Sequence, residues 1–257
     1  MQQSRMVPGG RWRTATGIST AALLLAVIGL LVLASAGFGY RFGWWGLRPA
    51  FTILRVSVYA AIVVAAVGVI AAIASLVVRH WVATVGAILA ILLALGTAAV
   101  PLAMQRTAQS VPHIHDITTD PENPPTFVAL RGARERAPNG VDYGGPAVAA
   151  EQRAGYPDVA PLMLRIPPDR AFALAETTAK GLGWQIAAAV PAEGRLEATD
   201  TTRWFHFKDD IVVRVGAAAD GSRVDVRSVS RIGRSDLGAN ARRIRVFLSA
   251  LADRARG

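Results

Sequence analysis

Ile18-Ser-Thr-Ala-Ala-Leu-Leu-Leu-Ala-Val-Ile-Gly-Leu-Leu-Val-Leu-Ala-Ser-Ala-Gly-Phe-Gly39 contains no charged residue. It is followed by two more uncharged stretches, Val56 to Val78 and Val82 to Met104. Each exceeds the roughly 20 residues that an α-helix needs to cross the hydrocarbon of a bilayer. Hydrocarbon offers the backbone no hydrogen-bond partner, so spanning segments of this kind are helices. The expectation is a three-span membrane anchor over residues 1–106, with spans at about 18–39, 54–78 and 81–104, followed by a soluble domain over residues 107–257.

Charge divides the chain in the same place. The net charge of +10 is concentrated in the first 106 residues, where Arg5, Arg11, Arg13, Arg41, Arg48, Arg55, Arg79 and Arg106 stand without a single acid. The remainder is close to neutral, with all 18 acidic residues of the chain. The basic excess therefore flanks the membrane, where it meets lipid phosphates, and does not mark a nucleic-acid surface. Tyr40, Phe42, Trp44, Trp45 and Phe51 supply the aromatic belt of a headgroup interface. No ionisable group sits at depth, which argues against a transporter or proton relay. Ala61, Ala65, Gly68 and Ala72 recur at helical spacing and predict a small-residue face for helix–helix contact.

Two cues bear on topology, and the first, the positive-inside count, is a tie. With the amino terminus inside, Arg5, Arg11, Arg13 and Arg79 balance Arg41, Arg48, Arg55 and Arg106 outside. Ala34-Ser35-Ala36 after an apolar run resembles a signal-peptidase site. An uncleaved first helix with its amino terminus inside and a cleaved signal both place the carboxy-terminal domain on the outer, periplasmic or extracellular face of the plasma membrane. Absence of cysteine excludes disulfides, thiolate zinc sites and thiol catalysis.

The soluble part opens with a proline-rich lead-in, His113 to Phe127, whose Pro121, Pro124 and Pro125 favour extended or turn backbone. Residues 128–160 show no period and read as a long loop packed over something. Phe172, Ala175, Ala179 and Leu182 then repeat at helical spacing, with Gly181 and Gly183 as the stop. Strands are predicted at Trp184–Val190, Arg195–Thr202, Trp204–Val215 and Arg223–Ile232, and a closing helix at about Leu237–Ala255. The fold class is α+β: helix, an antiparallel sheet of about four strands, helix.

A two-residue turn at Asp220-Gly221 sets Asp210 directly opposite Arg231 as a structural ion pair. Strand alternation sends Asp209 and Asp210 to opposite faces, which removes a shared-proton carboxylate dyad. The densest constellation of polar groups runs from Asp225 to Ile244. Arg227, Ser228, Ser230 and Arg231 lead into a helix start with Ser235, Asp236 and Asn240. Free amides at a helix N-terminus beside arginines and hydroxyls suit a phosphate, sulfate or carboxylate. The same residues also suit internal pairing, with Asp236 as the helix cap. His113 and His115 form only a fragment of a metal site, with no third ligand, so no metal and no cofactor is expected. No nucleotide loop, dinucleotide fingerprint, nucleophile elbow or zinc-protease signature is present, and no catalytic residue is assigned.

Asp116-Ile-Thr-Thr-Asp-Pro121, Tyr156-Pro-Asp158, Gly183-Trp184, Glu197-Ala-Thr199, Phe207-Lys-Asp-Asp210 and the run from Arg227 to Ala241 resemble the domain-of-unknown-function family numbered fourteen ninety-nine. The resemblance covers residues 113 to 252 in order. It implies a bacterial or plastid protein with membrane or signal segments, and no reaction. The functional expectation is a membrane-anchored protein whose soluble domain binds a partner, such as an envelope protein, or an anionic ligand at the membrane surface. The alternatives are a hydrolase of an envelope or lipid substrate using Asp209 or Asp210, and a structural or assembly protein of the envelope.

Overall fold

A computed structural model of the chain describes residues 9–257, so Arg5 of the charge balance lies outside the described residues. The chain forms two units, Met1–Arg106 and Thr107–Gly257.

Three helices of the first unit are long and apolar enough to cross a membrane: α1 (Gly9–Arg41), α2 (Leu47–Val77) and α3 (Trp81–Ser110). They outrun the uncharged stretches because arginines near a helix end reach the headgroups along their own aliphatic stems. Ala34-Ser35-Ala36 lies inside α1. Packing is inside out. Leu31, Ile62, Val82 and Leu92 are more than half exposed, whereas Ala22, Ala26, Ala61, Ala90 and Ala94 are buried. Small side chains at the contacts let helices approach closely, which hydrocarbon solvent rewards and water does not. The buried stripe of α2 is Ser57, Ala61, Val64, Gly68, Ala71 and Ser75, so Ala65 and Ala72 of the expected face stand at its border. At Gly68 a Cβ would meet Ile91 Cγ1 of α3 at 2.7 Å. Thr84 donates a hydrogen bond to Ser75 at 3.0 Å between α3 and α2.

In the second unit the sheet has six strands, not four. β1 (Asp116–Thr118), β2 (Leu162–Leu164), β3 (Gln185–Val190), β4 (Arg195–Thr201), β5 (Lys208–Ala218) and β6 (Gly221–Ser230) are all paired antiparallel. The order is β1-β6-β5-β4-β3, with β2 also on β6. The two extra strands are three residues each, too short to show alternation. The expected long loop contains two helices, α4 (Arg131–Glu135) and α5 (Gly145–Gly155). Neither has an apolar stripe: α5 buries only Ala149 and Gln152. Gln152 acts as a surrogate strand residue, since its side-chain amide accepts from Thr118 N at 2.9 Å and donates to Thr118 O at 2.7 Å. That satisfies the otherwise open edge of β1.

Helix α6 (Pro168–Gly181) and helix α7 (Ala239–Arg256) cover one face of the sheet. Leu196, Ala198, Ile211, Val213, Val224 and Val226 meet Phe172, Ala175, Ala179, Ile244, Phe247 and Leu251 there. The Trp184 and Phe247 rings stack at 4.9 Å. Helix α7 begins two residues later than expected, because Leu237 has a positive φ of 53° and cannot continue a helix.

The β5–β6 turn corrects the predicted register. Ala218 pairs with Gly221, so the turn residues are Ala219 and Asp220, and Asp210 pairs with Val229 rather than Arg231. Gly221 belongs to the strand because β2 crosses it: a Cβ there would lie 2.1 Å from Leu164 O, at a φ of +138° that only glycine adopts freely. The shift is two residues, so each side chain keeps its face.

Candidate functional site

Arg227 and Arg231 of the expected anion site stand on the face of the sheet away from α6 and α7, and both are engaged. The buried Arg227 donates from Nε and Nη2 to the two Asp116 oxygens at 2.9 and 2.7 Å, and from Nη2 to Val141 O at 2.9 Å. Its guanidinium lies 5.4 Å from the Phe127 ring and 5.6 Å from the Tyr143 ring. Arg231, just after β6, donates from Nε and Nη2 to the two Asp210 oxygens, at 2.8 Å each. The two-residue diagonal offset between them is within reach of a long side chain. Asp210 also accepts from Thr199 Oγ1 at 2.8 Å and Arg134 Nη1 at 3.2 Å. Arg134 is fully buried and stands 5.2 Å from the Phe127 ring, with Nε and Nη2 making no hydrogen bond. Burial pulls its pKa below the usual arginine value, against the opposing charges of Asp210 and Asp116.

Ser228, Ser230 and Asn240 lie on the opposite, helix-covered face. Ser228 Oγ donates to Asn240 Oδ1 at 2.7 Å, and Asn240 Nδ2 donates to Ser230 Oγ and His115 O at 3.1 and 3.0 Å. Arg243 Nη1 donates to Ser228 Oγ at 3.1 Å, while its Nη2 pairs with Asp209 at 2.7 Å and also reaches Asp200. The six expected contact residues are therefore divided: Arg227 and Arg231 on one face, Ser228, Ser230 and Asn240 on the other. Ser235 lies in the turn before α7, where its Oγ accepts from Leu237 N at 3.3 Å.

Asp236 occupies the N-terminus of α7. It accepts from Gly238 N and Asn240 N, each at 2.8 Å. Desolvation raises its pKa above the ordinary carboxylate value of 3.8, against the lowering effect of those two amides. A raised carboxyl pKa favours the protonated folded state. The resulting stabilisation is full below 3.8 and is lost as pH rises through the raised value. Asp236→Asn removes this titration. Relative to the parent, the variant is expected to be more favourable at pH 7 than at pH 4. Unfolding curves of the detergent-solubilised chain at both pH values check this, and an equal difference at the two would contradict it.

The strongest polar anchor escaped sequence reasoning. Glu197 in β4 is fully buried; its Oε1 accepts from Val128 N and Ala129 N at 2.9 Å each, and its Oε2 from Leu130 N at 2.8 Å. Arg195 also pairs with it. Beside it, Asp225 and Asp120 are shared between Arg214 and Arg223. The signal was present as charge alternation. Glu197, Asp210, Arg214, Asp225, Arg227 and Arg231 occupy one face of three adjacent strands, a pattern that normally marks solvent. Here the lead-in, which in the structure runs on to Leu130, covers it, with Phe127 and Leu130 packed on Val212 and Val229.

Two of the clefts on this unit are large enough for a small ligand. One, of about 480 Å³, is lined by His113, His115, Asp116, Asn139, Asp142, Val148, Glu151 and Arg234, among others. The other, of about 660 Å³, lies between α6, the Pro191–Gly194 turn and the end of β5, and its charged lining is Asp169, Glu176 and Glu193. Although His113 and His115 share the first cleft, no group of three metal-ligating side chains assembles among the described residues.

A family model described as a protein of unknown function (DUF1499) matches residues 116–251. No curated protein and no solved structure matches the chain.

Proposed function

Because the chain belongs to DUF1499, a family of unknown function, its activity has to be read from its own residues, and we propose that it is a membrane-anchored binding protein whose soluble domain takes an anionic ligand in the cleft beside Arg234. One observation carries this reading. Between Arg223 and Gly238, Arg223, Arg227 and Arg231 each hold a carboxylate. Among the described residues the Arg234 side chain makes no ion pair or hydrogen bond; it is exposed and lines the 480 Å³ cleft. A free guanidinium at the wall of a concavity is suited to bidentate capture of phosphate or carboxylate. On this reading Arg227, Ser228, Ser230, Arg231, Ser235 and Asn240 hold the turn that presents Arg234. The hydrolase alternative rests on Asp209 and Asp210, which are both buried against guanidinium groups and line neither cleft.

The test is titration of the detergent-solubilised full chain with inorganic phosphate. Arg234→Ala is expected to weaken binding by about 10- to 100-fold, the loss of one charge-assisted contact of about 1.5–3 kcal/mol. Arg242→Ala, at another exposed arginine without an ion pair, is the control and should leave affinity unchanged. Equal affinities for the parent and Arg234→Ala would overturn the proposal.

We propose further that the anchor lies in a bacterial plasma membrane, with the domain on its outer, periplasmic or extracellular, face. The arginine count is even and favours neither face; with the amino terminus inside, the three apolar helices among the described residues carry the domain to the outer face. Since the chain has no cysteine, Gly257→Cys gives a single reporter. Labelling by a membrane-impermeant maleimide in intact cells is expected; labelling only after lysis would put the domain in the cytoplasm.

A further inference from the structure

Resting on the cleft assigned above, we infer that its ligand carries a cation as well as an anion, a compact zwitterion with the chemistry of phosphoethanolamine. The cleft that holds Arg234 is also lined by Asp142 and Glu151. Both are exposed, and neither side chain makes an ion pair or hydrogen bond among the described residues. No nitrogen of Arg234 lies within the 4.0 Å ion-pair limit of either carboxylate. Opposite charges thus stand around one concavity without collapsing on each other, and a ligand bearing both signs satisfies the two sides at once.

Asp116, the third acid in the lining, is already held by Arg227 and contributes no free charge. Ile114 and Val148 supply the apolar lining against which a short methylene linker rests. The cleft beside α6 has carboxylates and no basic residue, so it lacks this mixed lining. The segment from His113 to Asp116, which forms one wall, follows α3 almost directly in the chain. A phospholipid headgroup and its free, water-soluble counterpart both present this chemistry. Guanidinium recognition of the phosphate and carboxylate recognition of the ammonium are both charge-assisted and directional.

The experiment uses the full chain in detergent at pH 8, titrated with inorganic phosphate, ethanolamine, phosphoethanolamine and glycerophosphoethanolamine. A second arm embeds the chain in nanodiscs of phosphatidylethanolamine or of phosphatidylglycerol. Phosphoethanolamine is expected to bind roughly tenfold more tightly than phosphate, with ethanolamine alone weak. Asp142→Asn combined with Glu151→Gln should bring phosphoethanolamine to within about twofold of phosphate, and phosphate itself should bind no more weakly than to the parent, since two repelling carboxylates are gone. Both substitutions are at exposed positions, and an unchanged melting curve verifies the fold. Competition of the soluble probe by phosphatidylethanolamine nanodiscs alone assigns the lipid as source, no competition by either nanodisc assigns the free compound, and equal competition by both, one of which carries no ammonium group, overturns the zwitterion. Equal affinity for phosphate and phosphoethanolamine, unaffected by the acid substitutions, overturns the zwitterion and leaves the anion-binding reading standing. Failure of every phosphate-bearing probe overturns both.

Discussion

Glu197→Ala is expected to destabilise the soluble domain by about 3–5 kcal/mol, the range for removing one partner from a buried charged cluster. The alanine leaves the amides of Val128, Ala129 and Leu130 without their acceptor and Arg195 without its inner carboxylate. Each buried donor left unsatisfied costs about 1–3 kcal/mol. The lead-in is tied to the sheet at this point, so the loss also loosens the packing of Phe127 and Leu130 on Val212 and Val229. Glu197→Gln keeps the volume and one acceptor oxygen, and should lose about half as much. Denaturant unfolding of the solubilised chain measures both. A change below about 1 kcal/mol for the alanine variant would show that the lead-in amides find other partners.

Asp210→Asn is the second large effect, again about 3–5 kcal/mol. Asp210 serves Arg231, Arg134 and Thr199 at once. Arg134 is the sensitive member, because it is fully buried with two nitrogens already unpartnered. A neutral amide at position 210 leaves that guanidinium charge without its nearest counter-charge. Replacing the arginine by a flexible apolar side chain removes the problem, so Arg134→Met in the Asp210→Asn background should recover more than half of the loss. A double variant less stable than Asp210→Asn alone would mean that Arg134 contributes packing that methionine cannot replace, and that burial of its charge is not the dominant cost.

Much of the architecture was legible because hydrophobic spacing reports it directly. Phe172, Ala175 and Ala179 marked α6, and the uncharged stretches marked the three apolar helices. Strand alternation placed Asp209 and Asp210 on opposite faces, and the two-residue register error at Gly221 left that intact. The register itself depended on a close approach by Leu164, a contact between distant segments that local turn chemistry does not reveal. Helix α5 was hidden because its buried residues are Ala149 and Gln152, and Gln152 is inside only because it completes the edge of β1. For the candidate site, residue types were legible and their engagement was not. Arg227, Arg231 and Asp236 read both as a seat for an external anion and, with more weight, as internally bonded groups. The decision lay in Asp116, Asp210 and the α7 amides, which only the tertiary fold brings to them. Arg234 gave no signal of its own, since being unpaired is a property of its surroundings.

The central claim is that the lead-in seals the charged face of the sheet, leaving Arg227 and Arg231 as internal bonds and the Arg234 cleft as the surface open to a ligand. Hydrogen exchange at the amides of Val128, Ala129 and Leu130 in the solubilised full chain tests this most directly. Protection as strong as that of the β5 and β6 core amides is the predicted result. Exchange on the timescale of an open loop would contradict the seal and return Arg227 and Arg231 to the solvent-facing surface.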